Sequence, residues 1–227
     1  MNPKSTSSST STAQAVGEQG RLLTDYPTRV FHALFALCFV GAYLTADSEH
    51  WRLVHVTLGY SCAFLLGFRL LYGFIGPRTM SWRTLWTKLT NSRVWLKSAT
   101  WHIHRKWLNQ GLSVTQSWFA VAALACVLPI VITGHLQFNE IGPEWWLDAL
   151  EEVHEFIANG LGLLALGHVA LMALTSWVRK QNHALLMWSG RIPEKGPDLI
   201  THPRKITAIA LMASMLVFVT WIWNAVG

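Results

Sequence analysis

The sequence predicts an all-α membrane protein with five transmembrane helices, and three observations carry that expectation. Of 227 residues, 52% are apolar and only 13% are charged, far from the roughly one quarter charged of a soluble domain. Five apolar runs, each near the ~20 residues a helix needs to cross a bilayer, alternate with polar segments. The Lys and Arg residues concentrate in alternate connecting segments, as the topology of a multi-pass chain requires.

Residues 1–24 are expected to be a disordered cytoplasmic tail: the first twenty are Ser/Thr-rich and nearly uncharged, and lack the apolar core of a signal peptide. The first span, 27–46, has Pro27 near its start and His32 early in the helix. A very short turn with Asp47, Glu49 and His50 leads to the second span, 51–75, which stops at Gly76-Pro77. A turn that short makes the two helices antiparallel neighbours. In the basic loop 77–115, Trp82, Leu85, Trp86 and Leu89 recur at helical spacing with basic residues between them. That pattern suits an amphipathic helix in the headgroup region, or a docking surface for a cytoplasmic partner. Trp95, Trp101 and Trp107 extend the aromatic theme.

The third span, 116–136, contains Pro129 as a kink position. The fourth, 151–180, reads EEVHEFIANGLGLLALGHVALMALTSWVRK. Segment 191–227 is expected to comprise a cytoplasmic linker and a fifth span at 206–226.

Orientation follows from the positive charges. Loop 77–115 holds Arg78, Arg83, Lys88, Arg93, Lys97, Arg105 and Lys106 with no acid, and 179–205 is also net basic. Segment 137–152 holds Glu140, Glu144, Asp148, Glu151 and Glu152 with no base. The N-terminus is thus expected inside and the C-terminus outside. The net charge of +6 is then a topology signal, and no nucleic-acid partner is needed to account for it. Cys38, Cys62 and Cys126 all lie in apolar runs without a CxxC pair and read as packing residues.

The ten histidines sort by depth. His32, His55, His154 and His168 lie within spans, where a polar side chain is costly and turns toward the protein interior for a role. His154 and His168 are fourteen residues apart, which places them on one helical face about 21 Å apart along the axis. His55 and His154 share the outer level, and His32 and His168 share the inner one. Zinc normally takes four ligands, and thiolates or carboxylates are lacking at these depths. A haem iron needs only two axial ligands, so bis-histidine b-type haem fits both levels. Gly59, Ala158 and Gly167 beside the ligands offer room for a flat macrocycle, although small residues also serve helix packing.

Arg69 follows His55 by fourteen residues, facing the same way at the inner level. It could pair with a haem propionate or reach to the inner headgroups. Arg29, one turn before His32, carries the same two readings. His135 competes for the outer site or handles protons beside it. His102 and His104 form an HxH in the basic loop, read as an exposed interfacial pair ahead of a metal site.

YPTRVFHALF, WRLVHVTLGY, the proline-containing third span, EEVHEFIANGLGLLALGHVALMAL and WSGRIP together resemble the bacterial cytochrome b561 family, which includes the b-type cytochrome subunits of nickel–iron hydrogenases. The resemblance covers about 26–190. It implies a four-transmembrane-helix haem-binding bundle at 25–190, with the fifth C-terminal helix outside the shared core. It also implies two b haems, His32 and His168 ligating the inner one and His55 and His154 the outer one. The HNPLG-like segment of many relatives is HRKWLNQGLSV here, so functions tied to that segment do not carry over.

The expectation is a di-haem b-type cytochrome of the bacterial inner membrane. It would carry electrons between the quinone pool and a periplasmic partner, either a c-type cytochrome or a hydrogenase-like protein, with quinone as a further candidate ligand. The acidic segment 140–152 could dock a basic partner. The rival readings are a quinone reductase acting on a small reductant such as superoxide, and a membrane anchor with structural haems.

Overall fold

The computed structural model describes residues 20–98, 105–192 and 197–226. Its helices are α1 (Tyr26–Leu44), α2 (Arg52–Ile75), α3 (Trp82–Lys97), α4 (Arg105–Phe138), α5 (Glu144–Arg179), the single turn α6 (Leu186–Ser189) and α7 (Lys205–Val226). Five of them, α1, α2, α4, α5 and α7, are long and apolar enough to cross a membrane. Two short strands, β1 (Arg21–Leu22) and β2 (Arg191–Ile192), pair antiparallel.

Local chemistry sets the helix ends. Asp25 caps α1, its Oδ1 accepting from the Thr28 amide at 3.3 Å, and Pro27 sits where an amide would have no intrahelical partner. At the other end the Thr45 hydroxyl donates to the Gly41 carbonyl at 2.7 Å. Gly142, at φ +129°, and Pro143 break the chain ahead of α5, whose first turn then carries Glu144 at the positive end of the helix dipole.

Helices α4 and α5, with 34 and 36 residues, measure roughly 51 and 54 Å, well beyond the ~30 Å hydrocarbon core. Their additional turns correct two expected loop boundaries. Residues 105–115 are the start of α4, and Glu144, Asp148, Glu151 and Glu152 lie on α5 instead of in an irregular loop. Neither stretch contains a proline to stop the helix. A third correction concerns the tail expected through residue 24. Arg21 and Leu22 are strand, and Thr24 is fully buried. The amides of Leu23 and Thr24 donate to the Gly190 carbonyl at 2.8 and 3.2 Å, so this stretch is held by the α5–α7 connection. Residues 1–19, His102 and His104 lie outside the described residues.

α1 packs on α2 and α4 on α5 as two hairpins, joined through contact between α2 and α4. α7 lies against α1 and α2. Its Leu211 and Met215 enter the main apolar cluster beside Phe31, Cys38, Cys62, Leu65 and Leu66, so the fifth helix is part of the packed body. All three cysteines are free thiols.

α3 is riveted at both ends. The Trp82 indole donates to the Leu70 carbonyl at 2.9 Å. Trp95 stacks on Trp107 with ring centres 4.7 Å apart, each indole donating to the other's carbonyl. Trp82, Leu85, Leu89 and Trp95 turn partly inward, whereas Trp86 is 68% exposed. The end of the bundle carrying α3 is called the basic end below, and the end carrying the start of α5 the acidic end.

Candidate cofactor site

Four histidines meet in two pairs between the hairpins. His32 of α1 and His168 of α5 face each other with ring centres 6.4 Å apart. Nearer the acidic end, His55 of α2 and His154 of α5 do the same at 6.2 Å. These separations lie within the range of tilted and edge-on ring pairs. A metal–imidazole bond of about 2 Å, with about 1.2 Å from ring nitrogen to ring centre, places two rings across one ion about 6.4 Å apart. Both pairs match that span.

The acidic-end pair is oriented by backbone. His55 Nδ1 lies 2.8 Å from the Ala42 carbonyl. His154 Nδ1 lies 3.0 Å from the Ile130 carbonyl and 3.0 Å from Thr133 Oγ1. A carbonyl only accepts, so Nδ1 carries the proton in each ring and the Nε2 lone pair is free to bind a metal. Gly134 makes the His154 position possible, since a Cβ there would stand 3.0 Å from the His154 ring. Among the described residues, no hydrogen bond reaches the rings of His32 or His168.

A cavity of about 840 Å³ surrounds the acidic-end pair, at the large end of cofactor-sized pockets. Gly59 and Ala158 line it, as the sequence reading of clearance expects. Gly167 does not belong with them, because its Cα is covered by the Phe119 ring, 2.4 Å from a built Cβ. Its smallness serves the packing of α4 on α5. Asp47, Glu49, Glu151 and Glu155 also line the cavity, against Arg52 as the nearby guanidinium. Gln137, another lining residue, keeps a buried amide nitrogen with no partner.

His135 lines the same cavity but is matched with Tyr60, whose hydroxyl lies 2.7 Å from His135 Nδ1. The rings that face each other there are those of His55 and His154, with His135 beside them. Arg69 donates from Nη2 to the Met80 carbonyl at 3.3 Å and stacks over Trp82 at 5.0 Å. Its Nη1 is buried without a hydrogen-bond partner, a donor available to an anion. Arg29 donates to the Met187 carbonyl at 3.2 Å and lies over the Tyr26 ring, which occupies part of its guanidinium.

The carbonyl acceptors at Ala42 and Ile130 have no signature in a sequence, because every residue carries one. Thr133-Gly134, one turn past Pro129, is the only local signal that could have pointed to them. Near Arg69 sits a buried polar pair that the sequence reading missed: Asp25, fully buried, accepts from the Tyr72 hydroxyl.

The arrangement suits a cofactor that brings most of its own ligands. Among the described residues there is no cluster of three or more His, Cys, Asp or Glu able to hold a bare metal ion, and each histidine pair supplies two nitrogens. The residues present fit a flat tetradentate metal macrocycle. A family model described as prokaryotic cytochrome b561 matches residues 23–190. No curated protein and no solved structure matches the chain.

Proposed function

Because the chain belongs to the prokaryotic cytochrome b561 family, and so is a b-type cytochrome of membrane electron transfer, we propose that it holds two haems and carries electrons across the membrane. The observation that carries this reading is the pair of histidine gaps, 6.4 and 6.2 Å between ring centres. His32 and His168 hold one haem and His55 and His154 the other. Bound haem b supplies one-electron Fe(III)/Fe(II) chemistry.

The chain's own residues do the rest. Two histidines per site leave no iron position open to substrate, which favours electron transfer over oxygen chemistry. The Nδ1–H donors of His55 and His154 hold each ring in the tautomer that ligates through Nε2. Arg69 Nη1 offers a donor to a propionate at the level of His168, because it follows His55 by the same fourteen residues that separate His154 from His168. Arg29 is a weaker candidate for that role, its guanidinium being partly engaged. Positive-inside charge supports placing the basic end in the cytoplasm and the acidic end in the periplasm of a bacterial inner membrane. Electrons then pass between the quinone pool and a periplasmic partner, a c-type cytochrome or hydrogenase-like protein. The acids around the cavity favour a partner with a basic face.

The rival substrate superoxide is disfavoured by the same acids. Asp47, Glu49, Glu151 and Glu155 against Arg52 repel an anion approaching the acidic-end site. Haem quantification and reductive titration of purified variants test the proposal. His154→Ala should lose the acidic-end haem and His168→Ala the other, leaving one haem per chain in each case. Two haems retained in both variants refute the assignment, and a wild-type protein without haem absorbance refutes the di-haem function.

A further inference from the structure

Helix α3 packs along one face and carries its charge along another. Trp82, Leu85 and Leu89 turn toward the bundle, with the Trp82 indole on the Leu70 carbonyl of α2 and Trp95 stacked on Trp107 of α4. Arg83, Trp86, Thr90, Arg93 and Lys97 follow one another at steps of three and four residues, and all of them are exposed. At 100° per residue they fall within about 80° of arc, roughly a quarter-turn round the helix from the packed face. Lys88 stands on the other flank.

What this stripe meets follows from its charge, its direction and its level. α3 contains no Asp or Glu, and among the described residues the ion pairs are Arg52–Glu49 and Arg191–Asp198, so Arg83, Arg93 and Lys97 have no countercharge there. Arg93 and Lys97, like charges four residues apart, also repel each other. The face turned straight away from the bundle holds Thr87, Asn91 and Ser98, which are uncharged. An acidic protein arriving from the water would meet that face first, whereas molecules packed around the bundle meet the flank. α3 is tied to the last turns of α2 through Leu70, so the flank lies where that apolar span stops, at the headgroup level of the surrounding leaflet. Trp86, among the cations of the stripe, is the aromatic type that this level favours.

We propose that the flank of α3 bearing Arg83, Trp86, Arg93 and Lys97 is a binding surface for anionic phospholipid headgroups. Phosphodiesters supply the countercharge that the chain lacks, the guanidinium groups of Arg83 and Arg93 donate to phosphate oxygens in pairs, and Trp86 rests against the acyl boundary. The surface is independent of the cofactors and of which side of the membrane the basic end faces.

Native mass spectrometry of the purified full-length protein in detergent, offered phosphatidylglycerol and phosphatidylcholine with the same acyl chains, tests this. The wild type should retain phosphatidylglycerol in preference, and should lose that preference as ammonium acetate rises. Arg83→Gln with Arg93→Gln and Lys97→Gln should lower the preference at least about tenfold, since each cation near a lipid surface contributes about fivefold. Lys97→Gln alone should lower it about fivefold, and Lys88→Gln, equal in charge but on the other flank, by less than about twofold. Equal losses from these two single variants would mean that net charge alone holds the lipid, and would overturn the assignment to this flank. A wild type without any preference would overturn the proposal outright and leave an acidic protein face as the occupant. Should the triple variant fail to fold, the two single variants decide alone.

Discussion

At Gly59 a Cβ would meet no atom within 4 Å, and the residue lines the acidic-end cavity one turn beyond His55. Packing of the polypeptide alone therefore tolerates a larger residue there, while a macrocycle held by His55 and His154 does not. Gly59→Leu is expected to leave the unfolding free energy of haem-free protein within about the ±0.5 kcal/mol scatter of neutral substitutions. It should also cut haem content from two toward one per chain, with the acidic-end transition lost. Retention of both haems would place the macrocycle elsewhere. The histidines were legible at this scale because a polar residue inside an apolar span is conspicuous and a fourteen-residue step keeps one face. What holds them was not legible. The Ala42 and Ile130 carbonyls that orient His55 and His154 are backbone atoms, placed by how helices pack. Gly134 and Gly167 look alike in sequence, yet one clears the His154 ring and the other seats Phe119.

The least apolar of the long elements, α3, is fixed by two tryptophan–glycine notches. A Cβ on Gly73 would lie 2.0 Å from the Trp82 indole nitrogen, and one on Gly111 would lie 2.4 Å from the Trp95 ring. Neither ring can move aside freely, since Trp82 donates to Leu70 and supports the Arg69 guanidinium, and Trp95 is bonded and stacked to Trp107. Gly73→Ala should therefore cost about 1–3 kcal/mol, the usual range for overpacking. Thermal unfolding and limited proteolysis should show α3 released first, because few apolar contacts hold it. An unchanged proteolysis pattern would mean that α3 is held by something other than the Trp82 notch. Existence and type of the membrane helices followed from length and hydropathy, but their ends did not. α4 and α5 continue as helix past the apolar windows, because a charged or polar stretch without proline can extend a helix already nucleated in the membrane.

The whole molecule is electrically polar along its long axis. Arg78, Arg83, Lys88, Arg93 and Lys97 accompany α3 at one end, and Glu144, Asp148, Glu151 and Glu152 open α5 at the other. α7 belongs to this body, with Leu211 and Met215 in the central cluster and the connection before it tied to the N-terminal strand. The Leu22 carbonyl accepts from the Leu199 amide at 3.0 Å, and the Pro203 carbonyl accepts from Tyr26 at 3.3 Å. The residues preceding α1 and those preceding α7 thus lie at the same, basic end, which forces α1 and α7 to run in the same direction. The proposed orientation, from the positive-inside rule, has the basic end facing the cytoplasm. An activity reporter that works only in the periplasm should then be silent when fused after Ser98 and active when inserted after Glu140 or joined to the C-terminus. Replacing Arg83, Lys88, Arg93 and Lys97 with glutamine should weaken that bias and give mixed reporter activity at both positions. A C-terminal fusion silent alongside an active Glu140 insertion would contradict the odd number of crossings. Activity after Ser98 in the unaltered chain would overturn the proposed orientation and move the acid-lined His55/His154 cavity to the cytoplasmic face.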